Sequence, residues 1–97
     1  MEFTWDSEKA KSNLKKHRIS FDEAVSVFYD PLAKIADDPD HSKDEERFII
    51  IGYSTKANLL FVVHAYKESE TSIRIISARK ASPKERFDFE NIVDGGY

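Results

Sequence analysis

The chain has 97 residues, of which 40% are hydrophobic and 34% are charged, and its formal net charge is −3. This length suits one hydrophobic core, so residues 1–97 are expected to form a single domain. The absence of cysteine excludes disulfides, cysteine-ligated metal centres and thiol catalysis. No apolar run approaches the roughly 20 residues that span a bilayer, and no signal peptide is recognisable. A soluble cytoplasmic protein is therefore expected.

The charges are segregated along the chain. Residues 9–18 carry five Lys and Arg and no acid, and residues 74–86 carry five more Lys and Arg, interrupted by Glu85. Residues 22–46 instead contain nine acids. Because salt screens charges beyond about 8–10 Å, the local charge decides what binds at short range. Segregation alone is equally compatible with solvated basic faces and with an anionic partner.

The N-terminal segment predicts a short strand followed by a helix. Phe3 and Trp5 alternate with polar neighbours, as in a strand. Asp6 or Ser7 can cap a helix that runs to about Lys16 and ends over the next two residues. Basic residues in its last turn suit the negative end of the helix dipole.

A second helix begins after Ser20. Ser20 and Glu23 have the spacing of a capping box, and Asp30-Pro31 ends the helix. An apolar stripe marks its buried side: Phe21, Ala24, Val25 and Phe28.

The rest of the chain predicts strands and a final helix. Strands are expected at 33–37, 47–54, 58–67 and 72–79, separated by a polar loop at 37–46 and by turns at 55–58 and 68–71. Such short connections require antiparallel neighbours. Ser82, Pro83 and Glu85 form a second capping box, which starts a helix over residues 83 to about 93. The expected fold is α+β: a mostly antiparallel sheet of four to five strands, with two N-terminal helices and one C-terminal helix, in the order β-α-α-β-β-β-β-α.

Two residues in the predicted strands suggest chemistry. His64 follows an apolar run and can act as a general acid or base, or can simply be a strand-end histidine bonded to backbone. Arg74 lies between two isoleucines, so its charge must be paired or must reach a ligand. The pair Glu45-Glu46 can supply an ion-pair partner, and a phosphate is the other possibility.

More basic residues cluster where the last strand meets the last helix. Arg79 and Lys80 leave the strand, and Arg86 lies one turn into the helix. Guanidinium groups bind phosphate bidentately, and helix N-termini add backbone donors. The chain has no P-loop, GxGxxG or GxSxG motif, no EF-hand spacing and no local metal motif, so neither a cofactor nor a metal ion is expected.

Ordered segments along nearly the whole chain resemble the BrnT toxins. The segments are FTWD, NLKKHRISFDEA, VFYDP, EERF, IGYS, LLFVVH and IRIISARKA, followed by ER. The resemblance implies a compact RelE-like fold and a metal-independent endoribonuclease that blocks translation, as the toxin of a type II toxin–antitoxin module. It also implies a BrnA-like antitoxin, a ribbon-helix-helix protein that neutralises the toxin in a hetero-oligomeric complex and binds operator DNA. The toxin itself is expected to contact that DNA only through the antitoxin, and to contact no membrane.

Carried over by position, the family pattern points to seven residues: Glu46, Arg47, His64, Arg74, Ser77, Arg79 and Arg86. One departure lies in the last helix, where the family commonly has E-R-x-x-Y-E and this chain has ERFDFE, which places Phe89 at the usual tyrosine.

RNA cleavage requires deprotonation of the 2′-hydroxyl, stabilisation of the phosphorane charge and protonation of the leaving oxygen. We expect proton transfer by His64 or Glu46, and phosphate contacts by three arginines: Arg74, Arg79 and Arg86. Five further residues are expected to bind flanking RNA: Lys15, Lys16, Arg47, Ser77 and Lys80. The alternative is a non-catalytic RNA- or partner-binding module that uses the same basic surface.

Overall fold

The computed structural model describes residues 1–38, 45–67 and 71–92. Its elements are β1 (Glu2–Thr4), α1 (Ser7–His17), α2 (Phe21–Val27), β2 (Lys34–Asp37), β3 (Phe48–Tyr53), β4 (Leu59–Tyr66), β5 (Ser72–Lys80) and α3 (Pro83–Ile92). The predicted order of elements is confirmed. Most of the predicted 37–46 loop and 68–71 turn, and residue 93 at the predicted end of the last helix, lie outside the described residues. No helix in the described ranges is long and apolar enough to cross a membrane.

The sheet has the strand order β1-β5-β4-β3-β2. Strands β2 to β5 pair antiparallel in succession, as their short connections require. Strand β1 pairs parallel with β5 at residues 2–4, after which α1 and α2 carry the chain across the sheet. The predicted mostly antiparallel sheet is therefore confirmed, with five strands.

The two faces of the sheet differ in what covers them. Helices α1 and α2 pack on one side, the helix face, whose core includes ten buried residues: Ile19, Phe21, Ala24, Val27, Ile50, Leu60, Val62, Ile73, Ile75 and Ala78. Successive strand side chains point to opposite faces, so the sequence neighbours of these residues lie on the other side. A register shift, where Val63 pairs with Ser77 but His64 pairs with Ile75, gives β5 one extra residue, so Arg74 and Ser77 share a face although they are three positions apart. We call that side the α3 face; its residues include Tyr53, Phe61, Arg74, Ser77 and Arg79.

A buried asparagine attaches α1 to the sheet. Asn13 Nδ2 donates to the carbonyls of Ile19 at 2.9 Å and Ala78 at 2.8 Å, and its Oδ1 accepts from the Ala78 N–H at 3.1 Å. Strand β1 pairs with β5 only as far as Arg74. Beyond that point the Asn13 amide satisfies backbone groups on the outer edge of β5, which would be costly to bury unpaired.

The capping box predicted at the start of α2 is only half formed. Ser20 Oγ accepts the Glu23 N–H at 3.0 Å, as predicted. The Glu23 carboxylate does not complete the box; its Oε2 accepts from Ser54 Oγ at 2.6 Å and from Asn58 Nδ2 at 2.8 Å. The acid therefore holds the β3–β4 turn against α2, because the buried Ser54 and the half-buried Asn58 compete with the backbone N–H for it.

Gly52 allows the end of β3 to approach the end of α2. A Cβ at this position would lie 2.8 Å from the Ala33 Cβ, 3.0 Å from Asp30 Oδ2 and 3.1 Å from Val27 Cγ1. The close approach lets Asp30 Oδ2 accept the Tyr53 N–H at 2.7 Å. The backbone position of Tyr53 on the α3 face therefore depends on a glycine.

Gly52→Ala should reduce the free energy of unfolding by about 1–3 kcal/mol, the usual cost of overpacking, in urea titrations. Ala33→Gly removes the atom nearest to the new methyl group and should recover part of that loss in the double variant. The Ala33→Gly single variant provides the control for that cycle. A stability of Gly52→Ala within about 0.5 kcal/mol of wild type would contradict the close approach.

Candidate functional site

The start of α3 is fixed by the capping box predicted from the sequence. Ser82 Oγ accepts the Glu85 N–H at 3.1 Å, and the Ser82 N–H donates to Glu85 Oε1 at 2.8 Å. Pro83 is the first helical residue, where its missing N–H costs nothing. This prediction is confirmed, and it sets the direction in which α3 leaves β5.

The same glutamate holds Arg79. The guanidinium donates from Nη1 to Glu85 Oε1 at 2.9 Å and from Nη2 to Glu85 Oε2 at 3.0 Å, while its carbon lies 4.0 Å from the centre of the Phe61 ring. Hydrogen bonding from Arg79 lowers the pKa of Glu85 to about 2, and Glu85 in turn raises the pKa of Arg79. Arg79 is thus fixed in one geometry by a bidentate ion pair and a ring contact.

Arg74, which lies at the opposite end of β5 from Arg79, also has a carboxylate partner. Its Nη2 binds Glu45 Oε2, and Arg47 Nε lies 3.5 Å from Glu45 Oε1. The hydrogen bond from Arg74 is the main cause that lowers the pKa of Glu45. The sequence predicted that Glu45 or Glu46 pairs with Arg74. In the structure the partner is Glu45, and Glu46 is exposed.

Arg86 is held more loosely than the other two arginines. Its Nη1 lies 3.6 Å from Glu90 Oε2, beyond hydrogen-bond length, and 3.4 Å from the Tyr53 hydroxyl. The hydroxyl also donates to Glu90 Oε2 at 3.2 Å, and the Tyr53 ring packs edge-on against Phe89 with centroids 6.1 Å apart. Arg86 and Glu90 each leave 48% of the side chain exposed.

His64 lies on the helix face, away from these arginines. Its register partner is Phe48, and its ring contacts Phe28, Phe48 and Tyr66 at centroid distances of 4.9, 6.2 and 5.5 Å. The residue has 0% exposure, and neither ring nitrogen has a hydrogen-bond partner within the parts of the chain that the structure describes. The expected alternative of a backbone-bonded histidine is therefore not found.

Burial of His64 changes its titration. Loss of hydration lowers its pKa from 6.5 to about 4; the nearby Val62 backbone opposes this shift only in part, without forming a hydrogen bond of good geometry. At neutral pH the imidazole is thus uncharged and closed to solvent. A proton exchange between His64 and a ligand on the α3 face would need a different conformation of the sheet.

The other predicted RNA-binding residues are dispersed. Ser77 lies on the α3 face between the two arginines of β5, opposite Val63. Lys15 and Lys16 are exposed in the last turn of α1, which packs on the helix face, and Lys80 is exposed at the end of β5. The predicted RNA-binding residues therefore do not form one cluster: Arg79 lies near the end of β5 and Arg86 in α3, whereas Lys15 and Lys16 lie on α1. The register partner of Lys80 is Leu60, which places Lys80 on the helix face.

The α3 face has two charged ends. Glu45, Arg47 and Arg74 form one end, and Arg79 and Arg86 form the other. Arg79 is five positions after Arg74 in β5, which corresponds to roughly 16 Å of extended strand. One phosphate cannot contact both ends, whereas an extended polynucleotide can.

The sequence did not point to Tyr53 as a site residue. Nor did it show that Glu45 in particular pairs with Arg74, or that Glu85 binds Arg79 as well as capping α3. For Tyr53 the available signal was its alternation with Gly52 and Ile51 in β3, which places it on the face opposite α2. Nothing in the sequence indicates that its hydroxyl meets a residue 33 positions later.

Fold and site together define a small α+β protein whose sheet carries arginine–carboxylate pairs beside a C-terminal helix. A family model described as the ribonuclease toxin BrnT of a type II toxin–antitoxin system matches residues 5–85. The crystal structure of the Brucella abortus ribonuclease toxin BrnT is similar, with 26% identity and a TM-score of 0.64, and the match covers 84% of this chain and 97% of that chain. No curated protein sequence matches the chain. The chain belongs to the BrnT family of ribonuclease toxins, which confirms the resemblance seen in the sequence.

Glu85→Gln should reduce the free energy of unfolding by about 1–3 kcal/mol at pH 7, because it removes the bidentate, half-buried ion pair with Arg79. In the wild type this contribution is fully present above pH 4.5 and is lost as the pH falls towards 2, because the folded-state pKa is depressed. Urea titrations across this range provide the measurement. Glu8→Gln, which breaks the exposed pair with Lys11, is the control and should change stability by less than about 0.5 kcal/mol. Equal effects of the two variants would contradict the role of Glu85.

His64 should make the folded state sensitive to mild acid. A folded pKa of about 4 against 6.5 means that its contribution is intact above pH 6.5 and falls by about 3 kcal/mol as the pH drops to 4. His64→Leu, of similar size and without a titrating group, should lose less stability over this range. Parallel profiles for wild type and His64→Leu would show that burial of the neutral ring is not the cause.

Proposed function

We propose that this chain is a metal-independent endoribonuclease toxin that inhibits translation. Membership of a ribonuclease toxin family supports the reaction class. The observation that carries the location of the site is the half-exposed guanidinium of Arg86, which has no carboxylate hydrogen bond within the described ranges and lies 3.4 Å from the Tyr53 hydroxyl on the α3 face. RNA is then the substrate, and its backbone runs along the α3 face.

The chemistry requires stabilisation of negative charge at phosphorus. In cleavage without a metal ion, the 2′-oxygen attacks the adjacent phosphorus and loses its proton, and the bond to the 5′-oxygen breaks as that oxygen gains a proton. The products are a 2′,3′-cyclic phosphate and a 5′-hydroxyl. Charge accumulates on the non-bridging oxygens of the phosphorane, and fixed cationic donors beside them lower the barrier.

Arg86 is best suited to bind the reacting phosphate. Arg79 and Arg74 already donate to carboxylates, and a phosphate would have to displace Glu85 or Glu45 to gain bidentate contacts with them. Among the carboxylates of the described residues, Arg86 would give up only a 3.6 Å contact to Glu90. We therefore propose that Arg86 binds the scissile phosphate. Arg79 adds positive electrostatic potential around that phosphate and, through Glu85, fixes the position of α3.

The opposite end of the α3 face suits flanking nucleotides. Arg74, Arg47 and Glu45 together carry a net positive charge, roughly 16 Å from Arg79 along β5. Ser77 lies between the two ends on the same face, whereas Lys80 pairs with Leu60 and therefore points to the helix face. An RNA strand that contacts both ends must span several nucleotides, so binding should weaken as the salt concentration rises.

The two predicted proton-transfer residues are both remote from Arg86. His64 is buried on the helix face, and exposed Glu46 precedes β3 at the Arg74 end. With the phosphate at Arg86, we propose that the arginines contribute charge stabilisation and that His64 acts through packing. The rates of RNA cleavage by His64→Leu and Glu46→Gln test this assignment. A large loss of rate in either folded variant would indicate direct proton transfer by that residue.

Membership of a type II toxin family implies an antitoxin partner. We propose a BrnA-like ribbon-helix-helix antitoxin that covers the α3 face in a hetero-oligomeric complex. An acidic or apolar antitoxin segment would suit the exposed guanidinium of Arg86. Operator DNA would then contact the antitoxin, with the toxin carried on the complex.

Arg86→Gln should reduce the rate of RNA cleavage about 10- to 100-fold, because a donor to the developing charge is lost. The assay uses a labelled RNA in EDTA, and the wild type should release fragments that end in a 2′,3′-cyclic phosphate. A single 2′-deoxy nucleotide at the cleaved position should block the reaction. Lys84→Gln makes the same charge change two residues away on α3 and should alter the rate less than about threefold.

Two outcomes would contradict the proposal. If the wild type cleaves neither purified RNA nor mRNA in a translation extract beyond the Arg86→Gln control, the chain is a binding module without nuclease activity. If cleavage proceeds but Arg86→Gln matches Lys84→Gln, the phosphate is bound elsewhere.

A further inference from the structure

Tyr53 meets the guanidinium of Arg86 from a different element. The tyrosine ends β3, whereas Arg86 and Glu90 come from successive turns of α3. Its hydroxyl lies 3.4 Å from Arg86 Nη1 and 3.2 Å from Glu90 Oε2, so it accepts from the cation and donates to the acid. Neither the sequence pattern nor the family resemblance assigns a role to this residue.

Three contacts fix the position of this hydroxyl. The Tyr53 N–H donates to Asp30 Oδ2 at 2.7 Å, which holds the backbone. The ring packs at 71° against Phe89, which is 7% exposed, and the oxygen bonds to the α3 side chains. A hydroxyl held in this way loses little entropy when it binds a ligand, so it is preorganised as a donor.

We propose that Tyr53 is a substrate-contacting catalytic residue whose hydroxyl donates a hydrogen bond to a non-bridging oxygen of the phosphate bound at Arg86. This inference rests on the proposed function of the α3 face. When a phosphate binds Arg86, its oxygens enter the space beside the guanidinium where the hydroxyl already lies. The hydroxyl then turns its proton from Glu90 to the phosphate.

The direction of the effect follows from charge. A neutral donor interacts more strongly with the phosphorane than with the ground-state diester, because the phosphorane carries more negative charge on its non-bridging oxygens. Loss of the hydroxyl should therefore lower kcat more than it raises KM. A residue that only supported the packing of α3 would instead change stability.

The packing of the Tyr53 ring on Phe89 allows the ring and the hydroxyl to be tested separately. The contact between the two rings is apolar, so Tyr53→Phe keeps it and removes only the oxygen. Tyr53→Leu removes both the oxygen and the ring. The matched control is Tyr29→Phe, since Tyr29 is 71% exposed and packs near Phe3 at the end of α2.

The experiment measures kcat and KM for cleavage of the labelled RNA in EDTA, with the thermal midpoint of each variant recorded alongside. Tyr53→Phe should lower kcat about 10-fold or more, with KM changed less than about threefold and the thermal midpoint unchanged. Tyr29→Phe should match the wild type. Tyr53→Leu should lower kcat to the same extent and should also lower the thermal midpoint.

The kinetic results distinguish the absence of a catalytic role for Tyr53 from the absence of nuclease activity. If the wild type cleaves RNA and Tyr53→Phe cleaves it equally well, Tyr53 has no catalytic contact and the nuclease assignment stands. If Tyr53→Phe is normal and Tyr53→Leu raises KM, the ring stacks on a base, which overturns the hydroxyl role. If the wild type cleaves no RNA, the proposed function fails, and the Tyr53 inference fails with it.

Discussion

The α3 face depends on one carboxylate. Glu85 completes the cap of α3 through the Ser82 N–H and at the same time binds both terminal nitrogens of Arg79. The guanidinium in turn lies on Phe61 of β4, so a single acid joins the last helix to two strands. The direction of α3 decides where Arg86 and Glu90 meet Tyr53. The geometry of the site is therefore a consequence of a helix cap, and the cap is stable because its acid is held ionised by a neighbouring cation.

The arginines of this face are largely neutralised by acids of the same chain. Arg74 binds Glu45 and Arg79 binds Glu85, whereas the described residues provide Arg86 with only a loose carboxylate contact, to Glu90. A surface of this kind attracts a polyanion less strongly than the number of arginines suggests, since each ion pair presents little net charge at a distance. In the proposed function this arrangement favours specificity, because a phosphate would meet an exposed guanidinium at one defined place. The net charge of −3 is compatible with an RNA-binding face for the same reason.

Local patterns in the sequence predicted most of the fold. Asp6 caps α1, the Ser82–Glu85 box starts α3, and short connections made β2 to β5 antiparallel, because each of these features depends on residues close in sequence. The capping box predicted at Ser20 is incomplete, because the Glu23 carboxylate accepts hydrogen bonds from the distant residues Ser54 and Asn58 instead. The candidate site of the sequence grouped His64 with Arg79 and Arg86, whereas the structure places His64 on the helix face. Its strand is apolar on both faces, so alternation in the sequence could not show that its ring points to the helix face.

The sequence by itself determined the element order, the helix starts and the membership of a family whose ordered segments span most of the chain. These properties follow from short-range hydrogen bonding, from turn length and from residue periodicity. Only the tertiary structure decided which acid binds each arginine, which face His64 occupies and which hydroxyl lies beside Arg86. Those outcomes depend on strand register and on the approach of β3 to α2 at Gly52, and register is set by packing over the whole sheet.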